Sequence, residues 1–491
     1  MTTSLINILS AKEKRQFNLF LNAQNKRKDA KNIQLFELLQ REQDERLDVV
    51  LYGKPSANAY HALHKRLKDN LIDFIAQKSL SQEASSKYKA LRYLTAAREA
   101  YLREEPKTGQ KLLQKTIEFS RPLEFFSIIQ EALHTHIQYA HLHHDIHLEQ
   151  LFDAFKHNQK KLEQQERVNM ACAFLKHEIK QATLQKMISY RSLLEVTLTK
   201  FNLAGTTDLS FKSLYQLLDI IHTAANLEYA FAEALPYLNR LYYQVERVAN
   251  HPKQHQLYRL AIDYFLANAH LRNLNFEACA EVLKRYETHL QQERLNPTSG
   301  AYQNFVLIKS LHLNFTGNHT EALKLITPHE LDRSIHNPDL ILVVCTIYIQ
   351  QAEFKTAFKA FHLLKHTNSW YLKKYDREWV IKKDLIELIL QVELDHFELA
   401  HSLLRRFLRT YKKTLEQNDL LRTFISLIQQ MNHHPELLQE DRFKHKVKTG
   451  FSNYNTQTAD LILISFYGWL MAKSQQTSIY ETTLSLIKNL K

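Results

Sequence analysis

Turns in this chain have almost nothing to be made from. Its 491 residues include only 7 glycines and 9 prolines, and between them run amphipathic patterns of helical period. Sheets and phosphate-cradling loops depend on the turn chemistry those two residues supply, so an all-α fold follows. A chain of this length suggests several compact domains, unless stacked helical units bury a continuous core without becoming globular. The seven glycines are never fewer than 17 residues apart, so no loop brings successive bare amides to a phosphate. The sequence contains no G-x-x-x-x-G-K-[ST], G-x-G-x-x-G or G-x-S-x-G motif. No enzyme is expected from it and no cofactor.

Three domains are expected: a small basic helical domain over 1–80, a long-helix array over 81–205 and helical repeats over 206–491. The first opens on Ser10 and Glu13, spaced as a capping box, ahead of Phe17, Phe20 and Leu21. A basic stretch from Lys26 to Lys31 follows, then a short helix with Leu35, Phe36 and Leu39. A third helix carries Tyr60, Leu63, Leu67, Leu71 and Phe74 at helical spacing. In the array, Glu105-Pro106, Gly109 and Arg121-Pro122 are the chief punctuators, and Ala204-Gly205-Thr206-Thr207-Asp208 marks a break. Beyond it, four helix-turn-helix units are placed by a small residue in the second helix of each: Ala278, Ala322, Ala357 and Ala400. Cys279, Val282, Leu283, Tyr286 and Leu290 form one apolar stripe there, and Leu385, Leu388, Ile389 and Val392 another.

Ile341, Val344, Cys345, Tyr348, Ala357 and Phe361 have the relative spacing of the tetratricopeptide pattern. The unit resembles that family. The preceding unit matches at Val306, Ser310, Leu313, Ala322 and Ile326 but has Lys309 where an apolar residue is expected, and Ser369 replaces the usual closing proline. This resemblance covers roughly residues 255 to 415 and implies an α-solenoid of tetratricopeptide-like hairpins. The opening Leu9-Ser10, Glu13-Lys14 and Phe17 also resembles a group of bacterial helical-repeat proteins, a likeness that bears on fold alone.

The formal net charge is +13 and the excess sits at the two ends. Residues 1–80 carry 14 Lys+Arg against 9 Asp+Glu, and residues 351–491 carry 21 against 15. Acidic partners are favoured. The candidate partner-binding residues are Lys373, Lys374, Arg405, Arg409 and Lys412. Together with Lys382 and Lys383 they are expected to form a continuous basic surface, able to hold an acidic peptide or phosphates. The function read from this is a non-catalytic scaffold that holds a partner protein segment on a concave surface of inward-facing helices. The alternative is a nucleic-acid-binding regulator that reads DNA through His61, His64, Lys65, Arg66 and Lys68 on the third helix, with the repeats as its sensor.

His136, His143 and His147 fall on one side of a helix at spacings compatible with a metal, within the cluster from His134 to His147. With 26 histidines in the chain, composition accounts for the cluster and no metal site is assigned. The run Trp370, Tyr371, Lys373, Lys374, Tyr375 and Trp379 is read as inter-repeat packing rather than a stacking platform. Cys172, Cys279 and Cys345 are read as core residues in a reducing compartment. The apolar stretches 340–349 and 461–471 are too short to cross a membrane, and the N-terminus has no secretion signal, so a cytoplasmic protein is expected.

Overall fold

The computed structural model describes residues 2–24, 31–40, 46–81, 86–185, 190–203, 209–228, 231–246, 256–293, 295, 299–331, 337–375, 377–451 and 460–490. Most of the basic stretch beginning at Lys26 and the break at 204–208 lie outside them. The structure is 86% helix, and the described residues contain no strand. None of the described helices is long and apolar enough to cross a membrane.

The first helices are α1 (Thr2–Ile8), α2 (Ala11–Gln24), α3 (Lys31–Gln40), α4 (Leu47–Tyr52), α5 (Ala57–Ser81), α6 (Ser86–Leu102), α7 (Pro106–Ser120), α8 (Phe126–Gln138) and α9 (Leu148–Gln185). Then come α10 (Tyr190–Lys200), α11 (Phe211–Glu228), α12 (Phe231–Glu246), α13 (Gln256–Arg272), α14 (Phe276–Glu293), α15 (Gly300–Phe315), α16 (His319–Leu331), α17 (Pro338–Gln350) and α18 (Phe354–Phe361). The last are α19 (Asn368–Lys374), α20 (Arg377–Glu393), α21 (Phe397–Thr410), α22 (Lys412–Gln417), α23 (Asp419–His433), α24 (Asp441–Gly450), α25 (Leu461–Gln475) and α26 (Ile479–Asn489). The chain divides into two compact units, Met1–Leu162 and Glu163–Lys491.

Within the first unit, α1 to α5 enclose a core of their own built on Ile6, Phe17, Leu21, Leu35, Phe36, Leu67 and Leu71. The Ser10 amide donates to Glu13 Oε2 at 2.7 Å and the Glu13 amide to Ser10 Oγ at 3.3 Å, which completes the capping box that starts α2. Gly109 is not a turn residue. It lies inside α7, and a Cβ there would come within 2.6 Å of the Tyr101 ring, so the glycine permits close packing of α6 on α7.

One turn recurs along the chain. The residues Glu104, Glu124, Leu274, Gly317, Ala352 and Asp395 all have left-handed φ, between 55° and 95°. In each case the next amide reaches back to the carbonyl five residues earlier, as Glu353 does to Tyr348 at 2.9 Å and His396 to Gln391 at 3.0 Å. The following helix then begins two residues beyond the left-handed position. This is the Schellman closure, made here with a single glycine in six turns.

In the second unit the turn joins α13 to α14, α15 to α16, α17 to α18 and α20 to α21. Each hairpin is held by two fully or almost fully buried residues twelve apart: Ala267 and Cys279, Ser310 and Ala322, Cys345 and Ala357, Leu388 and Ala400. The small position of the first hairpin is therefore Cys279. Ala278, placed there from the sequence, is half-buried one residue away. The first helices pack side by side, α11 on α13, α13 on α15, α15 on α17 and α17 on α20.

Helix α25 breaks the amphipathic pattern. Eleven of its fifteen residues are buried, on every side, from Leu461 to Ser474. A helix apolar all round belongs in an interior, and α25 packs on α17, α24 and α26. Gln350 of α17 donates to Ser465 Oγ at 2.8 Å, and Glu393 of α20 accepts from both Trp469 Nε1 (2.8 Å) and Lys473 Nζ (2.6 Å). At Gly468 a Cβ would clash with Thr483 Oγ1 of α26.

Candidate functional site

The inner helices α13, α15, α17 and α20 meet the start of α25 around a cavity of about 270 Å³. From α13 the side chains Tyr264, Asn268 and Arg272, one turn apart, enter its wall, and α20 adds Trp379 and Lys382, with Tyr375 just ahead of it. Asp339 comes from the first turn of α17, and α15 gives an aliphatic wall of Leu307, Ile308 and Leu311.

Asp460 organises one end. Its Oδ1 accepts from the amides of Ile462 (2.9 Å) and Leu463 (3.2 Å), capping α25. Its Oδ2 accepts from Arg272 Nη1 at 2.8 Å and Lys382 Nζ at 2.7 Å. Burial opposes ionisation of Asp460, but Lys382 and Arg272 outweigh it and hold the carboxyl below its ordinary value, so it stays charged. Nearby, Trp379 Nε1 donates to Asp339 Oδ1 at 2.7 Å. Burial, reinforced by Asp339, pushes the Tyr264 and Tyr375 hydroxyls up to about 12, so both remain protonated donors at neutral pH. Behind Asn268, His222 Nε2 lies 3.0 Å from its Nδ2. Burial, and after it Arg272, brings that histidine down to about 3, which keeps it neutral.

The basic residues named from the sequence separate into two groups. Lys373 and Lys374 on α19, Arg405 and Arg409 on α21 and Lys412 at the start of α22 are all exposed. Among the described residues, Lys373, Arg405, Arg409 and Lys412 have no acidic partner, while Lys374 lies over the Trp370 ring. Helices α19 and α21 both pack on α20. Lys382 and Lys383 do not belong to that surface. They are 8% and 7% exposed, Lys382 on Asp460 and Lys383 beside Asp384 and Glu387, so the expected continuous basic face is interrupted at α20. Adjacent lysines read as solvated from the sequence, but α20 is covered on nearly all sides, and both are neutralised there.

On α5 the residues His61, Lys65 and Arg66 are exposed, opposite the buried Leu63, Leu67 and Leu71. The histidine cluster is not on one helix. Residues between α8 and α9 form a short 3₁₀ turn at Ala140–Leu142, and the one-sided spacing of His136, His143 and His147 does not arise. His143 is 3.0 Å from the Tyr101 hydroxyl and packs edge-on to His136. No group of three metal-binding side chains converges among the described residues. In the aromatic run, Tyr371 is buried and stacks on Trp379 at 4.7 Å, with Tyr375 on the same indole at 4.8 Å.

The sequence reading did not find the cavity. Its residues come from six helices spread over about 230 positions, and the available signals were the polar intrusions Asn268 and Arg272 on α13 and the period-free apolar run of α25. No protein-family model matches the chain, and no curated protein matches it.

Proposed function

We propose that the protein is a non-catalytic binding scaffold whose α13–α21 region is an α-solenoid of tetratricopeptide-like hairpins. Support for the solenoid comes from the repeated Schellman turn, the recurrent buried pair twelve residues apart and the row of first helices. In this reading the partner is a protein segment carrying acidic and apolar side chains. It binds along the second helices rather than in a concave inner groove, because α25 already covers α17 and α20.

The observation that carries the reading is α21. Phe397 and Leu399 are 52% and 48% exposed at its start, and Arg405 and Arg409 stand exposed and without acidic partners farther along. Exposed apolar and unpaired basic side chains on one rigid helix suit a segment of the opposite charge. The test is an affinity capture from native lysate, with and without nuclease, comparing the natural chain with the triple variant Arg405→Glu, Arg409→Glu, Lys412→Glu. A defined protein that survives nuclease and is lost with the variant supports the scaffold. Retention of nuclease-sensitive material alone supports the nucleic-acid-binding alternative, and a partner held equally by both chains refutes the α21 surface.

A further inference from the structure

The hairpin of α6 and α7, within the first unit, carries a cationic face that lies apart from both α21 and α5. Residues 86–98 and 106–117 contain no aspartate or glutamate, while Lys89 and Arg92 of α6 and Lys107, Lys111 and Lys115 of α7 are all exposed. Two contacts across the hairpin place these cations together. Lys115 Nζ stands 4.8 Å from the centre of the Tyr93 ring and Lys89 Nζ 5.0 Å from that of Phe119, and the two rings meet edge to face at 6.1 Å. Arg92 lies one turn from Lys89 and Lys111 one turn from Lys115, with Lys107 a further turn along, so the row on α7 repeats about every 6 Å.

Helix stability and solubility do not account for this face. Among the described residues none of the five cations has an acidic partner. Glu99 is taken up by Arg103, and Glu118, one turn from Lys115, accepts from Gln114 at 3.1 Å. Cations stabilise a helix at its end, yet α6 and α7 each begin with lysine and no acid in the first turn and have no basic residue in the last. A face kept for solubility alone mixes both signs.

The apolar groups beside the cations are aromatic. Tyr93 and Phe119 are half-buried under the two ammonium groups, and Tyr88, one turn before Arg92, is 37% exposed. Leu102, the exposed leucine of this hairpin, lies more than three turns from Lys89. An acidic protein segment needs apolar area on which to dock, as α21 offers. A row of cations beside aromatic rings instead suits a chain of phosphates whose unpaired bases can stack.

We propose that the α6–α7 face binds single-stranded nucleic acid without sequence preference, its phosphates along Lys89, Arg92, Lys111 and Lys115 and a base against Tyr88. Every contact is then to a phosphate or a ring face, which carry no sequence information. The proposal is independent of the α21 surface.

Fluorescence anisotropy of the full chain with a labelled oligothymidylate tests it, with a DNA duplex of the same length for comparison and polyglutamate as competitor. The strand binds more tightly than the duplex and resists polyglutamate, and log affinity falls against log salt with a slope of about −3, the value for four phosphates on a single strand. Arg92→Glu, Lys111→Glu, Lys115→Glu in one chain weakens the strand at least tenfold and flattens the slope. Tyr88→Ala weakens the strand several-fold and leaves the duplex within twofold. The same change of charge at exposed positions of the second unit, Lys284→Glu, Lys355→Glu, Lys488→Glu, leaves strand binding within twofold. Circular dichroism checks folding, and the neutral triple Arg92→Gln, Lys111→Gln, Lys115→Gln carries the test should the charge reversal fail to fold. The proposal is overturned if the strand does not bind, if the duplex binds as tightly, if polyglutamate displaces the strand at equal charge, which would assign the face to an acidic protein, or if the α6–α7 and second-unit triples behave alike.

Discussion

Removing the charge of Asp460 separates its two roles. Asn at 460 keeps a side-chain oxygen for the amides of Ile462 and Leu463, and Asn caps helices as well as Asp does. What Asp460→Asn removes is the negative charge between Arg272 and Lys382, both held within 2.8 Å of one oxygen. Breaking a buried ion pair by neutralising one partner costs about 3–5 kcal/mol, chiefly because the other charge is left uncompensated. Here two cations lose this carboxylate, and Lys382 is only 8% exposed, so a loss within that range is expected. The double variant Asp460→Asn, Lys382→Met, which also removes one of the two cations facing that carboxyl, should recover about 2 kcal/mol of it. The assay is urea unfolding followed by tryptophan fluorescence, because Trp370, Trp379 and Trp469 all lie in the second unit. Folding holds the Asp460 carboxyl below the ordinary aspartate value of 3.8. Its contribution is therefore complete above that value and fades as pH falls toward the folded-state value, so the gap between natural chain and variant should narrow under acid. A loss below about 1 kcal/mol at pH 7, or no recovery in the double variant, would refute the view that this bridge pins α25.

Three further outcomes follow from the packing. His222, neutral down to about 3 in the folded state against 6.5 unfolded, binds its proton more readily when unfolded, so it lowers stability progressively as pH falls from 6.5 toward 3. His222→Gln should flatten that dependence by up to about 1.4 kcal/mol per pH unit, read from urea midpoints at pH 7, 6 and 5. Ala352→Gly should stabilise the second unit by roughly 0.5–1 kcal/mol, since relief of an exposed left-handed alanine exceeds the added freedom of the unfolded chain; a lower midpoint in the same assay counts against it. Gly468→Ala should cost about 1–3 kcal/mol through its clash with Thr483. Thr483→Ala in the same chain should restore only part of this, because the Thr483 Cα and Cβ would still lie 3.1 Å from the new methyl.

Local features were legible in the sequence wherever a side chain answers to its own neighbours. Ser10 and Glu13 cap as their spacing requires, and the stripe Cys279, Val282, Leu283, Tyr286 and Leu290 is buried in full. The hairpin turns were less legible, because five of the six left-handed positions hold Glu, Leu, Ala or Asp, residues that do not punctuate a helical pattern. The register error at Ala278 has the same source: two small residues stand side by side, and only the turn geometry selects Cys279. Lys382 and Lys383 were misread because a buried lysine is identified by its partner, and Asp460 lies 78 residues away.

The stretch 461–471 is the most instructive case. Its apolar run fails the length test for a membrane span, and its lack of periodicity argues equally against a surface helix. A helix that must be buried on every side needs other helices around it, and the first helices of the hairpins, α17 and α20 above all, are themselves apolar on most faces. An isolated row of hairpins would leave those inner faces open to water. Helix α25 resolves both problems at once, since each apolar surface covers the other. Its polar ends are then fixed by Asp460 and Glu393, whose partners lie on α13 and α20 and on α25 itself. Covering by α25 buries most of those faces, and beside the helix's capped start lies a cavity lined by both charges and aromatic rings.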